Sequence, residues 1–132
     1  MKPITLIIFT LISFSFQSNI SYPDDTQNDV NLICSGKWQL EYMKVLGKKI
    51  PLPTDMIENS WVIFYSDGRT EGMDQQGLPT TGKWEYLKEI RSIRAIDEEE
   101  TNIQKIISIS KAKFVYSTTQ HEQEIIVGLT KK

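Results

Sequence analysis

The sequence predicts an all-β domain, an eight-stranded up-and-down antiparallel β-barrel preceded by a short N-terminal helical turn. Three observations lead there. In Gly36-Lys37-Trp38-Gln39-Leu40-Glu41-Tyr42, the residues Trp38, Leu40 and Tyr42 alternate with polar ones, the period-two pattern of a strand with one buried and one wet face. The phrase returns in shorter form as Gly82-Lys83-Trp84-Glu85-Tyr86. Around these, short runs of β-branched and aromatic residues follow one another with local turns such as Asp67-Gly68, which supplies the positive φ angles of a tight hairpin. Closing such a sheet removes its two edges, and about eight strands enclose packed side chains or one small ligand.

The elements can be justified in order. Lys2, an apolar run from Ile4 to Ile12 and small residues at Ser13, Ser15 and Ser18 form the pattern of a secretory signal peptide, assigned to residues 1–21 with cleavage after Ser15 or a few residues later. The run is too short for a membrane span, which needs about 20 apolar residues. Residues 22–31 are polar, hold Pro23, and are expected to be a disordered leader. The folded domain is assigned to residues 32–132. Near its start Asp29 can cap a helical turn whose Val30, Ile33 and Cys34 share one face and could plug one end of the barrel.

Strands are expected over 37–46, 60–65, 69–73, 81–87, 90–96, 102–109, 113–118 and 124–130. In the first, the apolar set shifts from Tyr42 to Met43 and Val45, which predicts a bulge near 42–44. Pro51 and Pro53 then take the chain out of the sheet. The stretch Asp97-Glu98-Glu99-Glu100 reads as a solvated turn, and Gln120-His121-Glu122 as the last hairpin.

Composition excludes several classes. The formal charge is −2, and removal of Lys2 with the signal peptide makes it −3, with signs intermixed. That balance argues against a nucleic-acid partner, which needs clustered Lys and Arg. One cysteine, Cys34, allows no intrachain disulfide even in the secreted or periplasmic setting that the signal peptide implies. Ile33 before Cys34 is not the small residue that lipid attachment at a cysteine needs, so Cys34 is expected to be a buried thiol.

Gly36-x-Trp38 after a helical turn, Phe64-x-x-Asp67-Gly68 in the first hairpin, and Gly82-x-Trp84-x-Tyr86 together resemble the calycin group, and within it the small bacterial lipocalin-like domains. The likeness runs over residues 32–131. It implies that Gly36 and Trp38 are structural, that Trp38 closes the barrel floor, and that a basic residue after the last strand packs over its ring. Lys131 is the candidate for that role, where the family usually has arginine. The resemblance also implies a lipid-binding or other small-molecule-binding function.

No constellation for catalysis is visible, so the chain is read as a non-enzyme. His121 falls in a turn and Cys34 has no evident base. The acidic run 97–100 lacks the spaced oxygens and glycine of a calcium loop, and neither a metal site nor a cofactor is expected. The aromatic residues divide between two readings. Either they fill the barrel, leaving a protein-interaction or structural module, or Tyr42, Trp84, Tyr86 and Tyr116 line an upper cavity for a small hydrophobic or amphipathic ligand. Arg94 joins that candidate set if Ile90 and Ile96 point inward, where it would bind a carboxylate; in the opposite phase Arg91, Ile93 and Ala95 face inward instead. Cavity volume separates the two readings.

Overall fold

The computed structural model describes residues 21–74, 76–97 and 100–132. The expected signal peptide before Ser21 lies outside them, as do Glu98 and Glu99 of the acidic turn. The chain builds α1 (Ser21–Ile33), β1 (Lys37–Val45), the two-residue β2 (Lys48–Lys49), α2 (Thr54–Asn59), β3 (Trp61–Phe64), β4 (Arg69–Met73), β5 (Pro79–Leu87), β6 (Ser92–Ile96), β7 (Thr101–Ile109), β8 (Lys113–Gln120) and β9 (Gln123–Lys131). Strands β3 to β9 pair antiparallel in sequence order, β1 pairs with β3, and β9 pairs back onto β1. The result is a closed eight-stranded barrel, with β2 a short hairpin return on the end of β1.

Residues 22–31, expected to be a disordered leader, fall within α1. Polar composition misleads here because the helix is held by distant contacts. Ile33 is buried against the core, Val30 and Cys34 pack beside it, and Asp29 is tied to the turn between β5 and β6. Pro23 sits in the first turn, where no intrahelical amide bond is lost. Helix α1 closes the end of the barrel at which β1 and β6 begin. Among the described residues no helix is long and apolar enough to cross a membrane.

The core concentrates at that closed end. Trp38 and Phe114 are fully buried and meet edge to face, with ring centroids 5.5 Å apart. Trp38 Nε1 donates to the Ile33 carbonyl at 3.0 Å, which stitches α1 to β1. Ile93 and Ile106 complete the layer.

Two register shifts decide which side chains face inward. Gly128 is opposite Tyr42 while Leu129 is opposite Leu40, so Glu41 is the extra residue of a bulge on β1. The expected bulge is therefore present, one position before the expected 42–44. On β7, Ile106 pairs with Tyr116 and Ser108 with Val115, leaving Ile107 as the extra residue.

Candidate functional site

Away from α1 the barrel interior opens into a cavity of about 490 Å³. Trp38 forms its floor. One wall is apolar, made by Leu40 and Met43 of β1, Val62 and Phe64 of β3, and Val127 and Leu129 of β9. The β1 bulge sets the first of these: Trp38 and Leu40 point inward, the extra residue changes the phase, and Met43 takes over.

The opposite wall is polar. Strand β7 turns Asn102 and Gln104 into the barrel while Ile103, 40% exposed, faces solvent. Strand β8 adds Tyr116 and Thr118, and Asn102 Nδ2 donates to Thr118 Oγ1 at 2.7 Å. Among the described residues the Gln104 Oε1 atom is buried without a partner, as is Ser60 Oγ near the mouth. Burial alone pushes the Tyr116 phenol up to about 12, so it is a neutral hydroxyl at any physiological pH. At the mouth stand Asp74, Gln76, Asp97, Glu100 and Gln120.

The sequence-derived candidates scatter. Tyr116 lines the cavity. Tyr42, expected inside, lies on the outer surface, because the bulge at Glu41 reverses its phase. Its ring covers Gly128, with Lys49 Nζ 4.9 Å from the ring centroid. Trp84 is buried below the cavity rather than lining it, edge to face with Phe64 at 5.4 Å, and its Nε1 donates to the Tyr65 carbonyl at 2.7 Å. Tyr86 points to the closed end, where its hydroxyl donates to Asp29 Oδ2 at 2.6 Å. Arg94 is on the outside, paired with Glu85 at 3.0 Å across the β5–β6 ladder. The phase with Ile93 and Ala95 inward is the one adopted, so Arg94 offers no charge to a cavity ligand.

Gly36 and Trp38 sit at the floor. Gly36 has φ +151°, and a Cβ there would lie 3.4 Å from the Lys131 stem. That stem carries Nζ to 4.6 Å from the Trp38 ring centroid. Also at the closed end, Arg91 makes a two-pronged ion pair with Asp29 of α1, Nε to Oδ2 at 2.9 Å and Nη2 to Oδ1 at 3.0 Å. The bond from Arg91 holds the Asp29 carboxyl below its ordinary range, against the opposing effect of burial, and Tyr86 helps. Burial first, and then its bond to Asp29, pushes Tyr86 up to about 12. This cluster fastens the plug and is remote from the mouth.

Cys34 and His121 do not meet. Cys34 packs at the closed end, its thiol pushed up by burial, whereas His121 is in the β8–β9 turn at the mouth end. Among the described residues no three metal-ligating side chains gather.

Sequence reasoning missed Asn102, Gln104 and Thr118. The signal for them is the even spacing of Asn102 and Gln104 with Ile106, which is buried. Reading that phase inward makes β7 polar inside, a choice that hydrophobicity alone argues against.

No family model and no curated protein matches this chain. Among solved structures it is similar to a DUF4847 family protein from Bacteroides vulgatus, with a TM-score of 0.57 and 13% sequence identity, covering 76% of this chain and 94% of that one. At that identity the likeness shows the fold alone, a small antiparallel β-barrel.

Proposed function

We propose that this chain is an exported, lipocalin-like binding protein that holds a small amphipathic molecule in the open half of its barrel and does no chemistry on it. One observation carries the reading. Strand β7 points Asn102 and Gln104 into the cavity and leaves Ile103 in water, the reverse of what core packing favours. An unpartnered buried carboxamide oxygen costs about 1–3 kcal/mol. Beside it the Tyr116 hydroxyl also faces the interior. A ligand with an apolar body against Leu40, Phe64 and Val127 and a polar side toward β7 and β8 offsets those costs. The volume suits a small organic molecule.

The export half of the reading rests on the apolar run after Lys2. N-terminal sequencing of the exported protein is expected to begin between Phe16 and Tyr22, and retention of Met1 would contradict it.

The binding half is tested with a neutral environment-sensitive naphthylamine dye. Micromolar affinity is expected, roughly −8 kcal/mol, and Tyr116→Ala should weaken it several-fold while the circular dichroism of the barrel is retained. If no neutral apolar dye binds the folded protein at high micromolar concentration, the carrier reading fails, and a protein-interaction module takes its place.

A further inference from the structure

Resting on that reading, we infer that the ligand class is cationic: an amphipath whose amine stays at the mouth while its apolar body enters the barrel, with carboxylates disfavoured. The inference comes from where the barrel puts its charges. In the inward phase of β4, set by Thr70 and Gly72, the next inward position is Asp74. In that of β6, set by Ile93 and Ala95, it is Asp97, and in that of β7, read back from Asn102, it is Glu100. Three strands thus end their inward-facing rows in a carboxylate, all three bordering the cavity entrance.

Positive charge is placed elsewhere. Lys83 is the one cation among the described lining residues, and it is an exposed residue between the inward positions Gly82 and Trp84. Arg94 is held outside by Glu85, Lys113 by Glu41, and Arg91 by Asp29 at the closed end. Among the described residues a carboxylate-bearing ligand therefore meets three like charges at the entrance against the single exposed Lys83, whereas an ammonium meets three opposite ones. The site is the cavity itself, whose uncharged polar wall of Gln104, Thr118 and Tyr116 accepts neutral groups further in. The mouth carboxylates select among ligands that fit it. Low-dielectric walls focus such a field, and salt weakens it.

The test compares three probes with one chain, decylamine, decanol and decanoate, by displacement of the neutral dye at low and at 1 M salt. At low salt decylamine should bind at least about ten-fold more tightly than decanoate, with decanol between them. High salt should shrink that spread while leaving decanol unchanged. Asp74→Asn with Asp97→Asn keeps the side-chain oxygens that accept from Gln76, Leu78 and Glu100 amides. Combined with Glu100→Gln, it should bring the three probes together. Equal binding of all three by wild-type protein, tighter binding of decanoate, or a spread that 1 M salt does not touch would overturn the inference and leave the carrier reading in place. Failure of every probe, decanol included, would overturn both. Decanol binding reports whether the triple variant is folded, and Glu100→Gln alone should narrow the spread in part.

Discussion

Lys131 reaches from the end of β9 over the indole of Trp38 at the start of β1, its Nζ 4.6 Å from the ring centroid. The last strand therefore covers the residue that opens the first. Trp38 is gripped on its other sides by Phe114 and by the Ile33 carbonyl. Trp38→Ala should cost about 3–5 kcal/mol in chemical denaturation, as large aromatic truncations in cores do. Lys131→Met, which keeps the stem and removes the charge, should cost only about 0.5–1 kcal/mol. Equal losses from the two would show that the ammonium does more than cover the ring.

The Asp29–Arg91–Tyr86 cluster predicts an acid-sensitive plug. Asp29 titrates below the ordinary carboxylate range when folded, so its contribution is complete above the unfolded value of about 4 and is lost as pH falls through the lowered folded value. Asp29→Asn should cost about 1–3 kcal/mol near neutrality and flatten the dependence of stability on pH in that acid window. Urea midpoints measured from pH 2 to 7 check both. A variant that keeps the wild-type slope would place the acid-labile group elsewhere.

Gly128 lies under the Tyr42 ring so closely that an added Cβ would fall 2.1 Å from Tyr42 Cε2. Gly128→Ala must displace the ring that Lys44 and Lys49 cover. A loss of about 1–3 kcal/mol is expected. Most of the penalty should vanish in a Tyr42→Ala background, and the double-mutant cycle measures that coupling.

Gln104→Leu should leave the free protein as stable as wild type or more stable by about 1 kcal/mol, because it removes a buried acceptor that has no donor among the described residues. Binding of hydroxyl-bearing ligands should weaken in the same variant. A fall in melting temperature without ligand would mean that the carboxamide is satisfied and structural. Arg94→Ala, on the outer face, should change binding of no probe.

Strand order and hairpin turns were legible because each depends on neighbours in sequence, such as alternation and Asp67-Gly68, whereas the floor position of Trp38 is what the family resemblance carried by Gly36-x-Trp38 implies. The lining of the cavity was not legible. Tyr42 follows Trp38 and Leu40 in perfect alternation, and one extra residue at Glu41 turns it outward, an event specified by the partner strand. Strand β7 is the converse case, where choosing the more apolar face selects Ile103 over Gln104 and gives the wrong phase. The fold of α1 was hidden for another reason. Its anchor, Asp29 on Arg91, joins residues with no sequence pattern in common.

The ladder between β9 and β1 also sets an order in time. Each of the other ladders joins strands that are near neighbours in the chain, across turns or the loop carrying α2, and can form as soon as both are present. The closing ladder brings together distant segments, such as Val127 with Met43, and bears the largest loop-closure entropy in the molecule. During synthesis from the N-terminus, Trp38 is made early and stays uncovered until Leu129 and Lys131 follow. Until then the growing sheet has two free edges and an exposed indole, the features that invite edge-to-edge association. A chain halted before β9 is therefore a different hazard from one damaged at the cavity: the second loses a ligand, whereas the first is left as an open, adhesive sheet.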